Sequence, residues 1–313
     1  MYKAKLTIRY LSLWAAFFAC ATFSACAKED HHAAADRSLG EKTARSCERI
    51  VSLAPSITEM LFALGLGERV VGVTEYCNYP PAAKSKAVIG GYATPNYELI
   101  VDLRPDVVFL LDLHQQQVAY LEDLEKPTVT CKSEFIADII ESLRTIGDYC
   151  GVENRAAEIV QSMENRLKLI GERTKGRVPP KVLVSLGRSM GTGTLQEVFA
   201  AGTNTFFNEV IELAGGQNAV GTRSIVYPRL SAEGIIALNP DVIVDLVVGM
   251  EDKQINKEQI RALWHDTPQI NAVKNNRLHV FSQDYVVIPG PRIVLLVERL
   301  AEVLHPDIGW ASR

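Results

Sequence analysis

The chain has 313 residues, 47% hydrophobic and 22% charged, which is the composition of an ordinary globular protein long enough for two cores. A net charge of −4 and an isoelectric point near 5.9 supply no broad basic field, which argues against nucleic acid or anionic lipid as a charge-held partner.

The chain opens on a targeting segment. Lys3, Lys5 and Arg9 precede an uncharged run from Tyr10 to Ala27 that ends in small residues suited to cleavage. At 18 residues, and poor in Leu and Ile, the run sits at the low edge of spanning length. Two processing readings are open. Ala25-Cys26-Ala27 meets the small-x-small rule of signal cleavage, and Phe23-Ser24-Ala25-Cys26 resembles a bacterial lipobox with Phe23 in place of the usual Leu. The second is adopted, making residues 1–25 a signal peptide, Cys26 the lipidated first residue, and 26–46 a polar tether. The expected location is the periplasm or cell surface, with the chain held to a membrane by its anchor. His31 and His32 fall in the tether without a third ligand at suitable spacing, and no metal site is expected.

Beyond the tether, strand-like and helical runs alternate. RIVSLA (49–54), VVGVTEY (70–76), DVVFLL (106–111) and PTVTC (127–131) read as strands, with helices near 57–65, 96–103, 115–124 and 135–149. KVLVSL, DVIVDL and LHVFS repeat the plan between 181 and 305, with helices near 205–214, 231–238, 254–264 and 291–304. Such alternation predicts an α/β fold of two similar lobes, each a mainly parallel sheet with flanking helices. Between them Val152, Ala156, Ile159, Met163, Leu167 and Ile170 recur at steps of three and four, marking one amphipathic helix over about 154–174. At 1.5 Å per residue it spans roughly 30 Å, long enough to join the lobes stiffly. Gly176, Pro179 and Pro180 end it. The lobes are then 47–150 and 179–313, with the joining segment at 151–178.

Export leaves Cys47, Cys77, Cys131 and Cys150 in an oxidising compartment, with three pairings open. If helix 135–149 runs antiparallel to the strands, Cys150 returns to the edge where Cys47 begins the first strand, which favours 47 with 150. Cys77 with Cys131 at the opposite edge then stays open, as does the alternative of four free buried thiols.

One local design is written twice. NYELIVDLRPDVVFL (96–110) and SAEGIIALNPDVIVD (231–245) match at Glu98 and Glu233, Ile100 and Ile235, Leu103 and Leu238, Pro105 and Pro240, and Asp106 and Asp241. Asn96 and Ser231 are N-cap candidates, and each Glu faces the positive end of its helix dipole. The Glu pair serves the dipole alone, or it offers equal charges to the two halves of a symmetric dimer.

These residues carry a resemblance. From about Arg49 to Pro306 the chain resembles the substrate-binding proteins of ABC importers for cobalamin, haem and ferric siderophores, the class III periplasmic binding proteins with two lobes on one rigid helix. It is most similar to the cobalamin-binding members through RIVSLAPSITEMLFALGLGERVVGVTEYCNYP, the repeated segments, VYP (226–228) and DYVVIPGPR (284–292). The resemblance implies that Glu98 and Glu233 dock into arginine pockets of a permease dimer that carries ATPase subunits. It implies ligand contacts at Tyr92, Tyr227 and Tyr285, where the family often has Trp, while Leu111 stands where another aromatic is expected.

Tyr76, Tyr79, Tyr92 and Tyr97 fall within 22 residues on segments that leave strand ends or begin helices. Aromatic faces converging on a cleft suit a flat macrocycle, and several of these rings could equally cover lobe edges. Asn78, Arg188, Asp284 and Arg292 are polar candidates, Arg292 reaching an acidic partner or covering its own helix. His114 is read as a solvated loop residue, or as an axial ligand to cobalt or iron.

The competing class is an enzyme. Gly187-Arg188-Ser189-Met190-Gly191 matches the G-x-S-x-G elbow after a strand, with Asp241 or Asp245 and His279 or His305 following in hydrolase order. TGTLQ begins a poor helix, no HGG-type stretch precedes it, and a hydrolase fold does not explain a duplicated lobe. The expectation is therefore a non-enzymatic capture protein with no cofactor of its own. Its ligand set is Tyr76, Asn78, Tyr92, Tyr227, Asp284, Tyr285 and Arg292, its ligand a corrinoid, and its alternative ligand haem or a ferric siderophore.

Overall fold

The apolar runs that carry no alternation are the ones that become fully enclosed strands. In the computed structural model β1 (Ile50–Ser52) and β4 (Val107–Leu111) are buried at every position, as a parallel sheet covered on both faces requires. The structure describes residues 46–188, 195–221, 225–250 and 256–310. The signal segment, Cys26, the tether with His31 and His32, and Ser189 of the elbow motif lie outside them.

In chain order the first half contains β1, α1 (Pro55–Ala63), β2 (Val70–Val73), β3 (Ala87–Val88), α2 (Tyr97–Asp102), β4, α3 (Gln115–Asp123), β5 (Thr128–Cys131) and α4 (Ile136–Cys150). Its five strands run parallel in the order β3-β2-β1-β4-β5. Helix α5 (Glu153–Thr174) follows. The second half contains β6 (Lys181–Arg188), β7 (Glu197–Ala200), α6 (Phe206–Leu213), β8 (Gln217–Asn218), β9 (Arg229–Ser231), α7 (Ala232–Leu238), β10 (Val242–Leu246), α8 (Lys257–Trp264), α9 (Asn271–Lys274), β11 (Leu278–Phe281) and α10 (Ile293–Leu304). Here the order is β11-β10-β6-β7-β9, with β8 beside the start of β6.

The two sheets are less alike than the sequence predicts. β10 pairs in parallel with β11 and β6, but β7 runs antiparallel to both β6 and β9, so the second sheet is mixed. β7 and β9 are only four and three residues long, too short to leave a periodic signal to read.

Helix α5 buries Ala156, Val160, Met163, Leu167 and Ile170 along one stripe. That stripe packs on α4 from the first half and on α6 and α10 from the second, so a single apolar cluster runs through both halves. Residues 44–313 accordingly form one compact unit. Further ties cross between the halves: Glu209 on α6 accepts the Ile136 N–H at the start of α4 (2.7 Å), and Arg292 beside α10 holds Glu59 on α1.

The duplicated segment builds the same joint twice. Asn96 accepts the Leu99 N–H (3.0 Å) and Ser231 the Gly234 N–H (3.2 Å), capping α2 and α7. Each helix then ends on a left-handed residue, Arg104 (φ 47°) and Asn239 (φ 44°), followed by a buried proline. Asp106 and Asp241 next fasten the first strand of each sheet, accepting the N–H of Arg49 (2.8 Å) and Lys181 (3.0 Å). Their own N–H groups return to the carbonyls of the same two residues.

Cys47 and Cys150 form a disulfide, as the antiparallel course of α4 favours. Cys77 and Cys131 are free and buried. They leave β2 and β5, which are separated by β1 and β4, and three strand spacings come to roughly 14 Å, beyond the reach of a bridge. Replacing Cys47 and Cys150 with alanine should cost about 2–5 kcal/mol, because the bond closes a loop with a sequence separation of 103. Urea unfolding of the double variant measures it.

Candidate functional site

The carboxyl ends of parallel strands are where an open α/β sheet leaves room for a ligand. In the first half those ends supply Ala54 to Ser56 after β1, Tyr76 after β2, Tyr92 after β3, Leu111 and Leu113 at β4, and Ser133 to Phe135 after β5. The second half faces them with Asn204 to Phe206 at the start of α6, Val226 and Tyr227 before β9, and Val287 to Pro289 before α10. Together they line an open cleft of about 760 Å³, within the size range of small-molecule sites.

The lining is aromatic and weakly acidic. Tyr76 and Tyr227 are exposed and Tyr92 half-buried, joined by Phe135 and Phe206. Glu134 is the one carboxylate among the described lining residues, and none of them is Lys or Arg. Each phenol has its pKa raised: that of Tyr76 by its hydrogen bond to Glu75, and those of Tyr92 and Tyr227 by partial desolvation, reinforced by the charges of Asp112 and Glu134 respectively. All three are neutral hydroxyls at physiological pH, able to donate or accept hydrogen bonds.

Of the predicted ligand set, Tyr76, Tyr92 and Tyr227 line this cleft, and so does Leu111. Asn78, Asp284, Tyr285 and Arg292 do not. Asn78 is exposed, with its amide turned to the Tyr76 carbonyl (3.5 Å). Arg292 is spent on a cluster joining the two halves. It donates to Glu59 (2.9 and 2.5 Å) and Asp284 (2.9 and 3.1 Å), with its guanidinium 3.7 Å from the centre of the Tyr79 ring. Burial raises the Glu59 pKa despite Arg292, whereas Arg292 holds Asp284 below the usual range against its own desolvation. Tyr285 packs against the core beside that cluster, and Tyr97 stacks on Tyr120 at 4.3 Å.

His114 is not a solvated loop residue; it is 2% exposed. Its Nδ1 accepts the Leu111 N–H (3.2 Å) and its ring meets Tyr92 edge-on at 4.5 Å. Burial pushes its pKa down, so the ring is neutral with the proton on Nε2. The one lone pair that the neutral ring could offer a metal, on Nδ1, is thereby occupied, and His114 lies outside the main lining. Arg188 is likewise withdrawn into a buried pair with Asp245, which also accepts the Trp264 indole N–H (2.7 Å). Among the described residues no group of three or more His, Cys, Asp or Glu could hold a metal ion.

Sequence reasoning missed Phe135, Phe206 and Glu134. Phe135 and Glu134 follow the strand PTVTC and Phe206 begins a helix, so a rule favouring strand ends over tyrosines alone would have found them.

A scan of known families matches periplasmic binding proteins over residues 50–285. The chain belongs to that family. An ABC transporter substrate-binding lipoprotein of Bacillus subtilis, itself uncharacterised, is 31% identical over 268 residues, covering 83% of this chain and 81% of the relative. The vitamin B12-binding protein of Pectobacterium atrosepticum is 26% identical over 264 residues, covering 82% and 88%. Among solved structures, a periplasmic haem-binding protein from Roseiflexus superposes with a TM-score of 0.71 at 27% identity, covering 83% of this chain and 99% of the other.

This periplasmic binding protein is therefore a substrate-binding component of an ABC importer and not an enzyme. Such components bind a ligand and work with permease and ATPase subunits. Asp245, a candidate for the hydrolase triad, lies buried between Arg188 and Trp264, and His305 turns its Nε2 to the Gly215 carbonyl (3.1 Å). No helix among the described residues is long and apolar enough to cross a membrane.

Proposed function

We propose that this chain is an exported, lipid-anchored protein that captures a corrinoid in the cleft and delivers it to its permease through Glu98 and Glu233. The observation that carries the ligand assignment is a lining of tyrosine and phenylalanine faces without one basic side chain among the described residues. Haem presents two propionates and ferric catecholates carry net negative charge, both of which call for cations. A corrinoid presents a broad apolar face fringed by neutral carboxamides, which phenol hydroxyls and main-chain groups satisfy. The similarity to a vitamin B12-binding protein supports the same reading.

Haem is the second reading, supported by the Roseiflexus haem-binding structure. Visible spectra of the protein mixed with cobalamin, cobinamide, haemin and a ferric catecholate, followed by calorimetry, decide between them. Cobalamin or cobinamide should bind and the catecholate should not. Tyr92→Ala and Tyr227→Ala should each weaken corrinoid binding about tenfold through lost ring contact. Unchanged affinity in both variants would remove the cleft from consideration.

A further inference from the structure

We propose that Glu134 is a charge-selecting residue, favouring neutral and cationic guests in the cleft and disfavouring anionic iron chelates. The inference rests on the cleft being the ligand site, as proposed above, and deepens that reading by assigning the discrimination to one side chain.

Four observations support it. Glu134 lies just beyond the end of β5, is exposed, and makes no ion pair among the described residues, so its charge is not cancelled locally. Its influence spans the cleft: it acts on Tyr227, which belongs to the opposite half of the chain. The neighbouring field has the same sign, since Glu75 accepts from the Tyr76 hydroxyl and Asp112 acts on Tyr92 and His114. Two arginines among the described residues are engaged elsewhere, Arg292 with Glu59 and Asp284 and Arg188 with Asp245. A guest in the cleft therefore meets the Glu134 carboxylate directly, with Glu75 and Asp112 behind the lining and no basic side chain among the described lining residues.

The size of the effect follows from Coulomb's law. One guest charge at contact distance in a water-like medium changes affinity by about fivefold. The effect shrinks as salt rises toward 1 M, where the screening length falls to about 3 Å.

A matched pair of guests isolates it. Cyanocobalamin is neutral and aquacobalamin carries one positive charge on nearly the same shape. Titrated against the full chain at pH 6 and low salt, aquacobalamin should bind about three- to fivefold more tightly. Glu134→Gln should remove most of that preference, and added salt should erode it in the wild type. Haemin, an anion, should bind Glu134→Lys more tightly than the wild type. An aqua-to-cyano ratio untouched by Glu134→Gln, or haemin affinity unmoved by Glu134→Lys, overturns the assignment. If neither corrinoid binds but haemin responds to residue 134, the corrinoid reading fails and the role of Glu134 stands. If no guest binds any variant, both fall.

Discussion

Arg292→Ala is expected to lower the unfolding free energy by about 3–5 kcal/mol, because it strips the partner from a buried carboxylate. The Arg292 side chain is 13% exposed and that of Glu59 only 3%. Removing the guanidinium leaves Glu59 with nothing to offset its desolvation, and takes away the stacking contact with Tyr79. The loss should carry a pH signature. Burial already holds the Glu59 pKa above its ordinary value of 4.5, with Arg292 pulling it down, and without Arg292 it rises further. A carboxyl whose folded pKa is raised imposes no penalty below its unfolded pKa and a growing one as pH climbs toward the folded value. The cost of Arg292→Ala should therefore shrink between pH 7 and pH 5, as Glu59 takes up a proton. A Glu59→Leu/Arg292→Leu double variant, which leaves no orphan charge, should recover most of the lost stability. Urea unfolding at the two pH values measures all three. A loss below about 1 kcal/mol in the alanine variant would mean that water or rearrangement replaces the arginine.

The same cluster bears on the cleft. Glu59 is on α1, directly behind the cleft-lining segment from Ala54 to Ser56, and Arg292 follows the lining segment from Val287 to Pro289. Their pairing ties one cleft wall to the other, alongside the packing of α5. The joining of the two halves expected of a single long helix is thus shared with side chains 233 positions apart.

That separation explains what the sequence could and could not disclose. The parallel strands and principal helices were legible because their apolar runs and periodicities are local. Asn96, Ser231, Glu98 and Glu233 were legible because a cap and a first-turn acid follow one another at fixed offsets. That Arg292 could reach an acidic partner was legible as one alternative, but the identity of that partner was not, since nothing near PGPR points to Glu59. His114 was misread for the same reason. Its burial comes from Tyr92 and from a main-chain donor at Leu111, and in sequence it looks like any loop histidine. Aromatic residues were an incomplete guide to the cleft. They led to Tyr76, Tyr92 and Tyr227 but also to Tyr79 and Tyr97, whose faces are taken by Arg292 and Tyr120. The disulfide partner of Cys47 followed from the direction of α4, whereas excluding Cys77 with Cys131 required the strand order.

Reversing both repeated acids, Glu98→Lys with Glu233→Lys, is expected to abolish ligand uptake by cells while leaving ligand affinity intact. Both side chains are exposed in the first turns of α2 and α7, helices built from the same cap, left-handed stop, proline and strand-fastening aspartate. Repetition of the whole joint gives both acids one local geometry, as a symmetric partner with two cationic sockets would demand. Each socket that loses its carboxylate meets a like charge, and the two penalties apply to the same docking event. Either single reversal should therefore cut uptake partially and the pair should remove it. Lysine at those positions also opposes the helix dipole, an effect of about 0.3–1 kcal/mol per helix. The control is Glu98→Gln with Glu233→Gln, which removes the attraction with less cost to the helix. Glu233 is held below its ordinary pKa by its own N–H and by the Ser231 hydroxyl, so it stays charged under any growth condition near neutrality. Radiolabelled corrinoid uptake, paired with calorimetry on the purified variants, separates the outcomes. Lost uptake with retained affinity assigns the acids to docking, lost affinity moves them into ligand binding, and full uptake by both double variants leaves them serving the helix dipole only.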